Sequence, residues 1–328
     1  MKPILAITPG DPAGIGPEVT AKALEAENII SSAHPIVYAP YSVMKKAFHL
    51  YTKGMNLKSV SQIPHSFEEK TVYCIEHPQL ENTDYPEGKI DADCGTASFL
   101  SVERAVEDLS AGKAGALVTG TINKESLKAA KVQYIGHTEM LAGLTGTEDP
   151  LTMFQTGTLR IFFLSRHVSL RKACEMVTFD RVYTYIHRCF ASLRMLGIKN
   201  PSLAVAGLNP HSGEHGLFGT EEVDAVNPAI AKAQKDGITV AGPIGADSVF
   251  HQAKEGRYSA VLSLYHDQGH IAAKTLDFHR TISVTLGLPF LRTSVDHGTA
   301  FDIAWSGQAS SVSMEEALKA AITYTKAG

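Results

Sequence analysis

Three histidines raise the first question of chemistry. His167, His211 and His266 each lie a few residues beyond an apolar, β-forming run, at 159–164, 203–206 and 260–264. If those runs are parallel strands, their carboxyl ends share the edge at which open α/β sheets bind ligands. Three imidazoles meeting there suit zinc, cobalt or nickel better than magnesium, with coordination positions left open for substrate. One loop histidine among 14 is ordinarily a solvated surface residue. The repetition at equivalent positions is what points to a metal.

Candidate anion-binding residues accompany them. Residues 8–18, TPGDPAGIGPE, join a strand to a helix, an arrangement that can turn backbone N–H groups toward a phosphate. Pro12, Pro17 and the glycine spacing exclude a dinucleotide fingerprint, and a tight structural turn is the plain alternative. Gly136-His137-Thr138-Glu139 sets an imidazole and a hydroxyl ahead of a helix, either to receive a phosphate or carboxylate or simply to cap the helix through Thr138. Lys274 and Arg292 are cations near glycine-rich turns, readable as solvated charges or as further anion contacts. The run 292–302, RTSVDHGTAFD, contains Ser294, His297 and Asp302, from which a serine hydrolase could be assembled, but no G-x-S-x-G elbow occurs in the chain.

These residues need a scaffold, and the pattern of elements supplies an α/β one. Strands are predicted at 4–8, 35–39, 115–119, 159–164, 203–206, 260–264 and 282–286. Between them lie helices at 17–26, 97–110, 179–196, 221–236 and 313–325. Thr178 is the expected N-cap of the helix at 179, and Glu221 and Glu222 are acidic residues in a first turn. The segment 56–93, with Pro64, Pro78 and Pro86, reads as loops and short strands over an edge. At 328 residues a single core tends to divide, and the division expected is 1–133 plus 290–328 against 134–289.

Composition narrows the class of function. With 30 basic residues scattered among 34 acidic ones and no Lys/Arg run, the chain has no nucleic-acid footprint. Four cysteines without C-x-x-C spacing indicate buried, reduced thiols. The absence of an apolar run of membrane-spanning length or a signal-peptide h-region leads to the expectation of a cytoplasmic protein with no membrane partner.

At these residues the sequence resembles the 4-hydroxythreonine-4-phosphate dehydrogenase (PdxA) family. The stretches that carry the resemblance are ITPGDPAGIGPEV (7–19), TINKE (121–125), GHTE (136–139), AGLNPHSGEHGLFGTEE (206–222), YHDQGH (265–270) and TLGLPFLRTSVDHGTAFDIA (285–304). They extend over essentially the whole chain.

The resemblance implies a two-domain α/β/α sandwich like isocitrate and isopropylmalate dehydrogenases, with a cleft between the lobes. It implies a homodimer with a shared active site, the metal ligands His167, His211 and His266 divided between subunits. Zinc is the first choice of metal, with cobalt, magnesium or manganese as alternatives. His137, Thr138, Lys274, Ser283 and Arg292 fall on the family's substrate contacts. NAD or NADP would be the cofactor, with no contacts assigned to it. The implied reaction is oxidative decarboxylation of a phosphorylated four-carbon 3-hydroxy acid: 4-hydroxythreonine 4-phosphate to 3-amino-2-oxopropyl phosphate and CO2, in pyridoxal phosphate biosynthesis. The alternative is oxidation of 4-phospho-D-threonate or 4-phospho-D-erythronate to dihydroxyacetone phosphate in acid-sugar catabolism, a branch that YHDQGH and FDIAW resemble.

Three positions depart from the family pattern: Ser283 replaces a usual Asn, Ser165-Arg166 replaces Thr-Thr before His167, and Gly120-Thr121 replaces Ala-Pro. No general base is identified; Lys124 and Asp247 qualify only by lying near the right loops. A metal-dependent hydrolase and a non-catalytic sugar-phosphate sensor are the rival classes.

Overall fold

The structure, a computed structural model, describes residues 2–81 and 83–327; residues 1, 82 and 328, which belong to the first expected lobe, lie outside it. The strands are β1 (Ile4–Gly10), β2 (His34–Tyr38), β3 (Asn56–Ser59), β4 (Thr71–Ile75), β5 (Ala116–Thr121), β6 (Leu151–Thr156), β7 (Leu159–Phe163), β8 (Leu203–Ala206), β9 (Val240–Ile244), β10 (Ala260–Ser263), β11 (Ile282–Leu286) and β12 (Leu291–Val295). The α-helices are α1 (Gly16–Leu24), α2 (Glu27–Ile30), α3 (Tyr41–Tyr51), α4 (Ala92–Ser110), α5 (Lys124–Ala129), α6 (His137–Thr145), α7 (Leu170–Glu175), α8 (Phe179–Met195), α9 (Asn227–Lys235), α10 (Ala246–Lys254), α11 (His266–Leu276) and α12 (Val312–Ala327).

The chain forms two compact units. The first comprises residues up to Pro150 together with Thr285–Lys326. Its strands run in the order β3-β4-β2-β1-β5-β12, all parallel. β1, β2, β4 and β5 are buried on both faces nearly throughout, as expected of parallel strands covered by helices on each side. Ala6, Ile36, Tyr38 and Leu117 pack against Val102, Ala105 and Leu109 of α4 and against Met140 and Leu141 of α6. Asp91 starts α4 by accepting from the backbone N–H groups of Asp93 and Cys94.

The second unit is Leu151–Val284, with strand order β6-β7-β10-β8-β9. β6 and β7 form an antiparallel hairpin; the remaining pairs are parallel. Its core joins Ile161, Phe163, Ala204 and Val261 to Val249 of α10 and Ala273 of α11. Thr178 caps α8 as its sequence position suggests, accepting from Arg181 N.

The units divide at 150/151 and 284/285 rather than at 133/134 and 289/290. Met140, Leu141, Leu288 and Phe290 all enter the first unit's core and draw their segments with them. The segment 56–93 contributes two strands, and β4 is wholly buried while only β3 is exposed. The helix expected at 221–236 is broken in character, with a π-helical turn over Glu222–Val226 before α9. Among the described residues no helix is long and apolar enough to cross a membrane, and all four cysteines are free thiols.

Candidate active site

The three histidines of the second unit follow β7, β10 and β8, which are adjacent and parallel. Short-range bonds lock the strand ends together. Ser165 Oγ donates to Leu264 O at 2.9 Å. Gln268, buried in α11, accepts from Leu264 N and donates to Gly207 O, each at 2.7 Å, so one side chain joins the ends of β10 and β8. On this footing the His167 and His266 rings lie 5.9 Å apart between centroids. His266 opens α11; its Nδ1 is 2.7 Å from Asp267 Oδ1, and its ring stacks at 3.6 Å on His270, which is seated against Phe154 and Phe163.

His211 is held differently. It begins a run of five left-handed residues, His211 to His215, four of them not glycine. An L residue there costs about 1–2 kcal/mol because its Cβ crowds the next carbonyl. Such a run persists only where its surroundings impose it.

As a donor set, three imidazoles suit a borderline divalent cation. Of the three, His167 and His266 are ring neighbours, and among the described residues no group of three or more His, Cys, Asp or Glu side chains is arranged to hold a metal. Asp247 lies exposed in the first turn of α10, which follows β9 beside β8. Arg166 turns to the other side, its guanidinium donating to Thr152 Oγ1 on β6. Lys274 is half-buried with its ammonium 5.2 Å above the Phe278 ring, and Ser283 is a half-buried position of β11.

The first unit gathers candidate anion-binding residues around Arg292. Arg292, on β12, is 5% exposed, and its hydrogen bonds go to hydroxyl groups: Nε and Nη2 to Thr119 Oγ1 at 3.1 and 2.7 Å, Nη1 to Thr285 Oγ1 at 3.1 Å. Burial holds its pKa down to about 10. Next to it His137 Nε2 is sealed from solvent with no hydrogen-bond partner. Burial first, and the Arg292 charge second, push the His137 pKa well below its ordinary value, so the ring is neutral at pH 7. His137 and Thr138 form the first turn of α6, whose free N–H groups and dipole favour negative charge. Lys124 runs alongside, its Cε 3.9 Å from where a Cβ on Gly136 would sit.

The glycine-rich loop is a fixed structural turn at the end of β1. A Cβ on Gly10, at φ +95°, would lie 1.9 Å from Thr121 O. Asp11 is fully buried with one carboxylate oxygen on Ala13 N at 2.9 Å and the other without a partner; its pKa is raised, chiefly by burial. Thr121 Oγ1 at the end of β5 and His297 Nε2 beyond β12 are also buried and unpartnered. These strands flank the point where chain order reverses, the usual ligand crevice of such sheets.

The 292–302 run yields no serine hydrolase: Ser294 Oγ is buried and donates to Val295 O at 2.9 Å, and His297 Nδ1 pairs with Gly298 O at 3.0 Å. Its continuation to 309 is fastened by Glu18, which is fully buried and accepts from Ala309 N at 2.9 Å and Gly307 N at 3.2 Å beside Lys22. Sequence reasoning missed Glu18, Thr119, Glu222 and Gln268. Each sits in a segment it singled out, but an acidic residue in a first helical turn reads as an ordinary dipole partner.

Comparison with known proteins gives these features a context. The family description "Pyridoxal phosphate biosynthetic protein PdxA" matches residues 31–321. A Clostridium botulinum protein named "Putative D-threonate 4-phosphate dehydrogenase" is 55% identical over 327 residues, covering 99% of this chain and 97% of its own. A protein of the same name from Halalkalibacterium halodurans is 54% identical over 324 residues, covering 98% and 97%. The crystal structure of 4-hydroxythreonine-4-phosphate dehydrogenase from Klebsiella pneumoniae is 38% identical, with a TM-score of 0.90 over 99% of this chain and 98% of that one. Fold and relatives together define an α/β dehydrogenase. The chain belongs to the PdxA family.

Proposed function

We propose that the chain oxidises the C3 hydroxyl of 4-phospho-D-threonate, or its erythronate epimer, with NAD, and that carboxylate loss then gives dihydroxyacetone phosphate. The observation that carries an anionic substrate is the cluster in the first unit where buried Arg292 meets only hydroxyls beside the sealed Nε2 of His137. The acid-sugar substrate is favoured over 4-hydroxythreonine 4-phosphate by the names carried by relatives at 54–55% identity. The 38% identity to an enzyme named for the amino substrate keeps that compound as the second reading.

In this reading Arg292, His137 and Thr138 hold the phosphate or carboxylate, with Lys274 and Ser283 as further contacts, and fix the C3–H bond for hydride transfer. Neutral His137 donates a hydrogen bond without adding charge. Lys124 or Asp247 takes the hydroxyl proton. The unpartnered polar atoms around Asp11, Thr121 and His297 are assigned to the nicotinamide cofactor. His167, His211 and His266 hold a divalent metal, zinc or cobalt by donor chemistry, completed across a homodimer. When bound, that ion supplies Lewis-acid polarisation of the C3 oxygen.

The test is a side-by-side rate comparison of 4-phospho-D-threonate, 4-phospho-D-erythronate and 4-hydroxythreonine 4-phosphate, followed by NADH absorbance. The highest kcat/KM is expected for an acid sugar. A higher value for the amino compound reverses the assignment.

A further inference from the structure

The turn that carries His211 is built on one buried carboxylate. Glu222 is 1% exposed. Its Oε1 accepts from Leu208 N and from Asn209 N, each at 2.8 Å, and its Oε2 accepts from Asn209 Nδ2 at 2.8 Å. Those two residues lead directly into the left-handed run. Asn209 O then accepts from Ser212 N at 3.0 Å, carrying the constraint into the turn.

The turn also lies against the carboxylate itself. A Cβ on Gly213, at φ +80°, would sit 2.9 Å from Glu222 Oε2, and one on Gly219 would sit 2.5 Å from Asn209 Nδ2. Entry, middle and exit of the loop therefore close on the same pair of side chains. Glu222 opens a π-helical turn, a local irregularity that recurs where a helix must re-aim a side chain toward a functional site.

We infer that Glu222 is the positioning residue of His211: its carboxylate holds the backbone of 208 and 209 so that the left-handed turn presents the imidazole in one direction. This rests on the reading of His211 as a metal ligand. Partners that orient a ligand from behind typically change metal affinity by about 10–100-fold when removed. A residue needed only for folding would not act through His211 in particular.

The experiment is a double-mutant cycle on the full-length protein with Co2+ as the probe, binding followed by the visible absorption of the ion. Glu222→Ala is expected to weaken Co2+ binding by about tenfold or more. Glu222→Gln, which keeps an acceptor for both backbone N–H groups, should recover most of that affinity. In a His211→Ala background the same Glu222 changes should have no further effect, because the group they orient is gone. Hydrogen exchange at 208 and 209 should accelerate in Glu222→Ala with or without His211.

Wild-type Co2+ affinity in Glu222→Ala overturns the inference, as does an equal loss with and without His211. If Glu222→Ala does not fold, the cycle is read with Glu222→Asp, whose shorter carboxylate cannot reach both backbone N–H groups and should weaken Co2+ binding in the protein with His211 but not in His211→Ala. If His211→Ala binds Co2+ as tightly as wild type, the ligand reading fails and the inference falls with it, a result distinct from additive losses.

Discussion

Replacing Arg292 by Met should separate substrate binding from stability. Burial holds the guanidinium pKa down to about 10, well below its ordinary value. That displacement corresponds to about 3 kcal/mol of unfavourable desolvation carried by the folded state. The hydrogen bonds to Thr119 and Thr285 are donated by a charged group and return about 1.5–3 kcal/mol each. Met therefore costs a few kcal/mol more than the penalty it removes, and Tm should fall by less than about 10 °C. Substrate has no such compensation. Hydrogen bonds to a charged group are each worth about 1.5–3 kcal/mol, so losing a bidentate contact should lower kcat/KM by about 10²–10⁴. Initial rates of NADH formation and thermal unfolding on one preparation measure both quantities. A fall in Tm of more than about 10 °C with unchanged kcat/KM would show that Arg292 is a structural residue and refute its anion-binding role.

Other consequences are equally direct. Because the folded pKa of His137 lies below its unfolded value, the unfolded chain takes up the proton first as pH falls; the stability tied to this residue is complete above about 6.5 and lost below it. His137→Gln should flatten the fall in Tm between about pH 7 and 5, and an unchanged slope would contradict the burial of that ring. Glu18→Ala frees the segment ending at Ala309, and Trp305, the single tryptophan, should then shift its emission to longer wavelength as its bond to Pro12 O at 3.1 Å loosens. Gly10→Ala should cost about 2–4 kcal/mol in chemical denaturation, since its Cβ would meet Thr121 O in a left-handed conformation.

The sequence carries the α/β class and the strand-end placement of the three histidines because apolar runs and histidine positions are local signals. That β7, β10 and β8 are neighbours follows from strand pairing, which no local pattern encodes. The second unit begins at Leu151 rather than near 134 for a similar reason: Met140 and Leu141 look like any amphipathic pair until they are seen packing against α4. Arg292 and His137 are legible as an isolated cation and a segment ahead of a helix, whereas their mutual proximity joins positions more than 150 residues apart. Glu18 and Glu222 were invisible in their roles, since a first-turn glutamate gives no sign of which distant backbone N–H groups it will accept from. The left-handed turn at His211 has no sequence signature either, because four of its five residues are poor formers of that conformation.

Product stoichiometry tests most directly whether dehydrogenation is coupled to loss of the carboxylate. With 4-phospho-D-threonate, NAD and Co2+, NADH, CO2 and dihydroxyacetone phosphate are expected in equal amounts. Release of inorganic phosphate without NADH would contradict it and favour metal-dependent hydrolysis, and tight binding of the substrate with no product of any kind would favour a sensor.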